Sequence, residues 1–372
     1  MSTLGFPVID ADGHVEEIGV DWVKRVGEEW GDWAPRYISD GRFESGQSRF
    51  AIEGKIFPRW EDKWGKASRP ITVHKPAHQW TGRPGMTDPK ERLKDMDLEG
   101  IDVAVLFGGM LSSAAIGLVE NPKLALATCR AYNDWLAEYC AAAPDRLKGV
   151  AVVPFQDPQE AAKELRRAAT ELGLVAVRIP TWPQGTNPGD PCFDPIYEAA
   201  QTLGLPACLH LLSARTIGAD RFDSFFFKHV FYGADVFMAF ATLVAGGVMD
   251  KFPALRIGVF EAGCGWVPYL AERLHEHYEL FPDQLPHLKR DPAEYMVSDR
   301  CFYTCEPDEK MIPIVARLVG EDRLMYASDY AHFDCICPDS VRVVSDRRDL
   351  SPELKRKLLG GNATKLFNLK AS

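Results

Sequence analysis

Eight short apolar runs alternate with longer helix-like stretches along most of this chain, and this alternation constrains the fold more than any other feature. The runs begin near residues 8, 101, 147, 174, 205, 257, 301 and 324. Strand-like runs separated by helical stretches predict βαβ units and a parallel sheet. Eight strand–helix repeats are the number that closes a barrel. The sequence therefore predicts an α/β fold of the (β/α)₈ TIM-barrel type.

Four of these runs end in side chains that commonly bind metal ions. The first run ends in an Asp-x-His pair, whose two side chains share a face of the strand. The ends carry Asp12 with His14, then His210, Glu261 and Asp329. One Asp-x-His pair arises often by chance. Four such ends predict a metal site, because the strands of a barrel enzyme end at its catalytic face.

Imidazole and carboxylate ligands suit Zn²⁺, Fe²⁺ or Mn²⁺ and do not distinguish them. We interpret Asp12, His14 and His210 as ligands, and Asp329 as a ligand or as the base that takes a proton from water. Glu261 is a candidate for binding a second ion, for acid–base work or for holding a loop. The site therefore has enough donors for one ion or two. The simpler alternatives are a packed His and a capping Asp, and Asp329 could cap the following helix.

Other residues near predicted strand ends are candidates for contact with a small-molecule substrate. Arg178 ends the fourth run, and its guanidinium can pair with a substrate carboxylate. A salt bridge inside the barrel is the alternative. The remaining candidates are His229, Trp266, Tyr303 and His332. For Trp266 the alternative is packing in the core.

Residues 17–85 do not fit the alternation. A segment of this length without secondary structure is unusual in a compact domain. We therefore expect an ordered insertion or lid that follows the first strand and lies on the catalytic face. Nothing else in the composition marks a second domain, so residues 1–372 are predicted to form one. The insertion holds six of the nine tryptophans, Trp22, Trp30, Trp33, Trp60, Trp64 and Trp80.

The formal net charge of −10 argues against nucleic acid as a partner, because proteins that bind it present basic surfaces. No apolar run approaches the ~20 residues needed to cross a bilayer. The first residues lack the basic and apolar regions of a signal peptide. We therefore expect no membrane contact and a cytoplasmic location, with the nine scattered cysteines reduced.

Four segments, in order along the chain, match motifs of one enzyme group. They are IDADGH at 9–14, FPALR at 252–256 leading into EAGCGWVP at 261–268, YASDYAH at 326–332 and GNATKLF at 361–367. By these motifs the chain resembles the amidohydrolase superfamily, in particular the group related to aminocarboxymuconate-semialdehyde decarboxylase. The resemblance implies a metal-dependent TIM barrel and a possible homodimer. It implies metal ligands at Asp12, His14, His210 and Asp329.

One departure from that group bears on the reaction. The decarboxylases carry a sixth-strand His that handles protons, and this chain has Glu261 there. A carboxylate replaces that imidazole as a proton donor at pH 7 only if its pKa is raised. This favours a hydrolase in which hydroxide generated at the metal attacks an ester, thioester or amide carbonyl, with Asp329 moving the proton. The alternatives are non-oxidative decarboxylation of an aromatic or unsaturated acid, and a barrel that binds metal and ligand without turnover.

Overall fold

The computed structural model describes residues 4–38, 49–57, 82–211, 230–332 and 334–369. Eight parallel strands form one sheet in chain order, with helices between them, so the (β/α)₈ prediction and all eight predicted strands are confirmed. Three further strands form a separate antiparallel sheet. In chain order the strands are β1 (Ile9–Val15), β2 (Arg36–Ile38), β3 (Arg49–Ile52), β4 (Lys55–Phe57), β5 (Val103–Gly108), β6 (Leu147–Ala151), β7 (Ala176–Pro180), β8 (Ala207–His210), β9 (Ile257–Val259), β10 (Cys301–Cys305) and β11 (Leu324–Tyr326).

Several helices begin at a capping side chain followed by proline, as at Asp88, Asn121 and Asp157. A capping oxygen accepts from free N–H groups of the first turn, and proline suits that turn because it has no N–H to satisfy. The helices are α1 (Trp22–Val26), α2 (Pro89–Glu99), α3 (Met110–Gly117), α4 (Pro122–Cys140), α5 (Pro158–Thr170), α6 (Asp194–Leu203), α7 (Tyr232–Ala245), α8 (Val248–Lys251), α9 (Trp266–Leu280), α10 (Pro292–Met296), α11 (Ile312–Val319), α12 (Ser340–Asp346), α13 (Pro352–Arg356) and α14 (Asn362–Phe367).

Alternation along the strands produces two apolar layers. Val105 and Phe107 of β5 belong to one buried cluster, and Leu106 between them belongs to the other. The first cluster fills the barrel, and Phe367 of α14 packs into it. The second lies between the barrel and its helices. Burying one such apolar side chain stabilises the fold by about 1.5–3 kcal/mol. Each strand buries side chains on both of its faces, so the residues at its end are attached to a rigid element.

The seam between the first and last strands is closed mainly by the side chain of Asp10. Its carboxylate is fully buried and accepts hydrogen bonds from the backbone N–H of Ser328 at 2.9 Å and from the Ser328 hydroxyl at 2.6 Å. Just beyond, Asp329 N–H donates to Asp12 O at 3.1 Å and His14 N–H donates to Tyr330 O at 2.8 Å. The residues that close the barrel are thus neighbours of the predicted metal ligands.

A β-bulge in β1 aims the Asp-x-His pair into the barrel. Asp10 pairs with Ala104 and Gly13 with Leu106, so β1 uses one residue more than β5 over this stretch. Ile9 and Ala11 face the barrel interior. In a regular strand Asp12 and His14 would therefore face outward, because alternate residues share a face. The bulge reverses the alternation, and this places both side chains at the mouth.

The bulge predicts that Gly13 tolerates no side chain. A Cβ at Gly13 would clash with the guanidinium of Arg92 and lie 2.8 Å from Asp10 Oδ2. Both groups are fully buried, so neither can retreat without opening the seam. We expect Gly13→Ala to lower the free energy of unfolding by about 1–3 kcal/mol, the usual cost of overpacking.

Chemical denaturation of the two proteins measures this effect. Gly233→Ala in α7 is the matched control, since a Cβ there meets its nearest atoms at an ordinary 3.5 Å and alanine favours a helix by up to ~1 kcal/mol. Equal stability of Gly13→Ala and the native protein would show that the bulge is not tightly packed.

The described parts of the predicted insertion include α1 and the sheet of β2, β3 and β4. Trp22 is buried there and its indole N–H donates to Glu17 O at 2.7 Å, whereas Trp33 is exposed. Trp60, Trp64 and Trp80 lie outside the described residues. Over the ranges that the structure covers, no helix is long and apolar enough to cross a bilayer.

Candidate metal centre

The five residues that end the four predicted strands meet at one point. His14 Nε2 lies 3.5 Å from Asp12 Oδ1, 3.5 Å from Glu261 Oε1 and 3.0 Å from Asp329 Oδ1. His210 Nε2 lies 3.5 Å from Asp12 Oδ1, and the rings of His14 and His210 are 5.4 Å apart. Residues separated by more than 300 positions in the sequence thus converge as expected for the mouth of a barrel.

Four atoms of this cluster are buried and make no hydrogen bond of acceptable geometry, although some of them lie close to one another. They are Asp12 Oδ1, His14 Nε2, His210 Nε2 and Asp329 Oδ1. A buried polar atom left unsatisfied costs about 1–3 kcal/mol, so four that face one another point to a missing partner. Two imidazole nitrogens and two carboxylate oxygens are donors that a divalent cation accepts. The donor set fits a divalent metal ion.

The electrostatics of the cluster also suit a cation. Burial lowers the pKa of His14 to about 3 and that of His210 to about 4, so both rings are neutral at pH 7, the form that binds metal. Burial, followed by the charges of Asp329 and Asp10, raises the pKa of Asp12 well above its usual range. Carboxylates crowded in this way need a positive charge to stay ionised.

Glu261 and His332 form a carboxyl–imidazole pair beside these four atoms. Their side chains are 18% and 37% exposed, and His332 Nδ1 lies 4.0 Å from Glu261 Oε1. The His332 ring stacks on His14 at 4.1 Å, and His332 Nδ1 lies 2.7 Å from Asp329 Oδ1. Burial raises the pKa of Glu261 to about 7. Burial alone would lower the pKa of His332, but the charge of Asp329 outweighs it and raises the pKa to about 10.

The backbone at two of these residues is unusual. Glu261 has φ 55° and Asp329 has φ 52°, both in the left-handed region that residues other than glycine seldom adopt. Each lies two or three residues after the end of its strand, β9 or β11. Strained backbone of this kind is concentrated at functional sites, which agrees with the position of both carboxylates.

Arg178 lies beside the cluster rather than facing open space. It is 2% exposed, and its Nη1 donates to Gly108 O and to the Ser112 hydroxyl, both at 2.9 Å. Its Nη2 donates to Leu211 O at 2.6 Å and lies 3.1 Å from His210 Nδ1. Both terminal nitrogens of the guanidinium are thus engaged by the protein, and its pairing with a substrate carboxylate stays a prediction.

The other residues predicted to contact substrate lie in different parts of the chain. Tyr303 is fully buried in the layer between barrel and helices, and its hydroxyl donates to Met296 O at 2.7 Å. The alternation of β10 turns Phe302 into the barrel and Tyr303 out, so the structure does not bring Tyr303 to the mouth. Trp266 begins α9 and packs against Tyr303 with a ring separation of 5.6 Å. His229 lies outside the described residues.

Several supporting residues were missed in the sequence. Arg92 donates to His14 O at 2.8 Å, and Asp10 holds the seam. Glu309 accepts from Cys264 N–H at 2.9 Å and Gly265 N–H at 3.0 Å, which ties down the loop after Glu261. A charged residue inside an apolar strand, as at Asp10, was the one visible signal. Arg92 and Glu309 sit in segments that read as ordinary surface.

Comparison with known proteins gives relatives of one kind. A 2-amino-3-carboxymuconate-6-semialdehyde decarboxylase from Dictyostelium discoideum is 26% identical over 285 residues, which cover 76% of this chain and 77% of that protein. A gamma-resorcylate decarboxylase from Polaromonas sp. is 28% identical over 295 residues, covering 75% of this chain and 86% of that protein.

A solved structure agrees in fold. A 5-carboxyvanillate decarboxylase from Novosphingobium aromaticivorans, complexed with manganese and 4-hydroxy-3-methoxy-5-nitrobenzoic acid, superimposes with a TM-score of 0.69 at 23% identity. The alignment covers 99% of this chain and 97% of that chain.

These relatives correct the expected reaction. The sequence led us to favour a hydrolase because Glu261 replaces a sixth-strand His. That prediction is wrong, because the relatives and the structural neighbour are named decarboxylases. The residue on the sixth strand does not by itself decide whether an imidazole lies beside the cluster. An imidazole near the cluster, that of His332, comes instead from the segment after β11.

The family itself follows from a match over almost the whole chain. The family model described as Amidohydrolase matches residues 9–369, a range that includes every residue of the metal cluster. The protein is therefore an enzyme of the amidohydrolase superfamily, and the chain belongs to the amidohydrolase family.

Proposed function

We propose that this protein is a metal-dependent, non-oxidative decarboxylase of an aromatic or unsaturated carboxylic acid. One observation carries the proposal: four buried donor atoms converge at the barrel mouth, and the carboxyl–imidazole pair of Glu261 and His332 lies directly beside them. The first set suits an ion that holds a carboxylate. The second suits delivery of a proton to carbon. The two roles together are what this reaction needs.

The geometry favours a single ion. Two groups of candidate donors meet at the barrel mouth, Asp12 with His210 on one side and Asp329 with Glu261 and His332 on the other, and both include His14. Only Nε2 of His14 faces them, and one nitrogen lone pair binds one ion. We therefore assign Asp12, His14, His210 and Asp329 as ligands of one ion, which leaves Glu261 and His332 for the chemistry.

A divalent cation held by these four residues would supply Lewis-acid binding of the substrate carboxylate and a neighbouring oxygen. The protein must then place a proton on the carbon that bears the carboxylate. His332 holds this proton, since its Nδ1 lies 2.7 Å from Asp329 Oδ1 and leaves the Nε2 side of the ring for the substrate. Its partial exposure lets solvent restore the proton after each turnover.

The bonds balance without any further reactant. The proton from His332 forms a new C–H bond at the ring carbon, and the C–C bond to the carboxylate breaks. The electron pair of that bond returns to the ring, and carbon dioxide leaves. Glu261, 4.0 Å from His332 Nδ1, orients the imidazole and stabilises its protonated form. A positioned general acid of this kind contributes typically 10²–10⁴-fold to the rate.

The relatives support the same class of substrate. Their names specify gamma-resorcylate and an aminocarboxymuconate semialdehyde, an aromatic acid and an unsaturated one. Each carries a polar group that can bind an ion together with the carboxylate. We therefore expect an acid with a hydroxyl, oxo or amino group adjacent to the carboxylate, with the identity of the ring left to experiment.

A panel of ortho-hydroxy aryl acids tests the proposal. The protein loaded with Mn²⁺ is incubated with each acid in D₂O, and carbon dioxide and the deuterium content of the product are measured together. We expect equal amounts of carbon dioxide and of arene with one deuterium at the former carboxylate position. Isomers with the hydroxyl para to the carboxylate are the matched controls and should react at least about tenfold more slowly, because they lose the second oxygen ligand.

The methyl esters of the same acids test for hydrolysis instead of decarboxylation. Release of methanol from the esters, together with no carbon dioxide from any acid of the panel, would overturn the proposal.

A further inference from the structure

A series of hydrogen bonds runs from His210 away from the candidate metal ligands. The series passes through Arg178 and Ser112 to Glu17, and from there to Tyr37 in the small sheet. It therefore joins a predicted metal ligand to the insertion after the first strand. Neither the ligands nor the acid–base pair require these outer residues for the reaction described above.

The first contact fixes the His210 ring. Its Nε2 is the atom without a partner, so Nδ1 must carry the proton when Nε2 binds a cation. That proton has Leu211 O as an acceptor at 3.2 Å. Arg178 Nη2 donates to the same oxygen at 2.6 Å. The guanidinium thus holds in place the acceptor that sets the tautomer and the orientation of the ring.

The second contact balances a buried charge. Arg178 Nη1 donates to the Ser112 hydroxyl at 2.9 Å, and Ser112 N–H donates to Glu17 Oε1 at 3.3 Å. Arg178 is 2% exposed and Glu17 is 0% exposed. A buried ion is costly unless an opposite charge and hydrogen bonds accompany it. Ser112 therefore connects an acid and a base that compensate each other in the core.

Two glycines provide the space that the Glu17 carboxylate occupies. A Cβ at Gly108 would lie 2.7 Å from Glu17 Oε1, and a Cβ at Gly109 would lie 3.1 Å from Glu17 Oε2. Two successive glycines at the end of β5 thus form the pocket that holds Glu17. The Tyr37 hydroxyl donates to Glu17 Oε2 at 3.0 Å, so β2 of the small sheet completes it.

We propose that Glu17 is a positioning residue for the metal ion, acting on His210 through Ser112 and Arg178, and that Tyr37 couples the insertion to the same ion. The physical reason is charge. The Glu17 carboxylate offsets part of the positive charge of Arg178, together with Glu261 and Asp12, so its loss strengthens the repulsion between Arg178 and a cation at His210 in the low-dielectric interior. The inference concerns metal affinity, so it holds whichever acid the enzyme decarboxylates.

The test is Mn²⁺ affinity of the full chain with Glu17→Gln, measured from the electron paramagnetic resonance signal of free Mn²⁺. Glutamine keeps the shape and the oxygen acceptor but removes the charge. Burial raises the pKa of Glu17 to about 7, so titrations at pH 8 compare an ionised carboxylate with an amide. We expect the Kd to rise about 10–100-fold, the usual loss when the partner of a ligating His is changed.

Glu99→Gln is the matched control. Glu99 is also a buried acid, and it accepts from the N–H and hydroxyl of Ser340 at 3.1 and 2.8 Å. Its variant should keep the native Kd even if it unfolds at a lower temperature. A Kd for Glu17→Gln within twofold of the native value would overturn the proposal, because a purely structural role lowers stability without changing the affinity of the folded protein.

A milder pair of variants tests the proposal if Glu17→Gln does not fold. Tyr37→Phe removes one hydrogen bond to Glu17, and Tyr197→Phe removes a comparable buried one, from its hydroxyl to Pro188 O at 2.7 Å. We expect the Kd to rise about threefold or more for the first and to stay unchanged for the second. Equal affinities of the two would contradict the coupling of the insertion to the ion. Native protein that binds no Mn²⁺ would instead refute the metal site itself.

Discussion

His14→Ala is expected to abolish metal binding. His14 Nε2 is the one atom that both groups of candidate donors share, and its removal leaves three ligands around a wider space. The remaining carboxylates, Asp12 and Asp329, would then face each other without a cation. We expect bound Mn²⁺ to fall from about one per chain to below about a tenth, and decarboxylation to fall by at least about 10³-fold. Elemental analysis after gel filtration and a carbon dioxide assay measure the two effects.

The control for this prediction is a histidine of the same type on the surface. His275 on α9 is exposed and contacts Asp291, so His275→Ala should retain both metal and turnover. Retention of a full equivalent of Mn²⁺ by folded His14→Ala would show that the ion binds elsewhere. Circular dichroism of each variant establishes that it is folded.

His332→Asn is expected to separate metal binding from catalysis. His332 lies beside the four ligands but is not needed to complete them, so the variant should still bind about one Mn²⁺ per chain. Its proton donor is lost, and we expect kcat to fall about 10²–10⁴-fold, the usual contribution of a general acid. The amide of asparagine preserves polarity without supplying an acidic proton at neutral pH.

Glu261→Gln shows whether the pair acts as a unit. Removing the second member of a unit costs little once the first is gone, so we expect the double variant with His332→Asn to be within about threefold of His332→Asn. His277→Asn on the exposed face of α9 is the control. Losses that multiply in the double variant would show that Glu261 and His332 act separately. Loss of metal from His332→Asn would make it a ligand and would contradict its assigned role.

Much of the barrel could be predicted because each strand has a recognisable pattern in its own sequence. Each strand is a short apolar run, and the runs at β1, β8, β9 and β11 end in the side chains that meet at the mouth. The convergence itself follows from parallel strands ending on one face of a closed sheet. The prediction of a barrel depended on counting eight strand–helix repeats rather than on any single residue.

The remaining features depend on contacts between distant segments. The bulge in β1 is set by the pairing of Asp10 and Gly13 with β5, and a single strand does not reveal its register. Tyr303 was predicted to contact substrate because it lies near a strand end, but the alternation that turns it outward depends on which face of the sheet lines the barrel interior. The role of residues 17–85 as a lid, the homodimer and the cytoplasmic location stay predictions.

The reaction was mispredicted for a related reason. Comparing one strand position, Glu261, with the decarboxylases assumed that the proton donor must come from that strand. The structure brings His332 within 4.1 Å of the His14 ring from another segment. By our proposal the imidazole comes from this other segment, an arrangement that comparison of one strand position does not show.

The closure of the barrel by Asp10 and Ser328 has a consequence for biosynthesis. During synthesis the first pair of proposed ligands, Asp12 and His14, precedes Asp329 by more than 300 residues. Until the segment that carries Asp329 is synthesised, the nascent chain lacks both its last strand and its fourth donor. A polypeptide truncated before residue 328 would therefore have neither a sealed barrel nor a complete set of the proposed ligands.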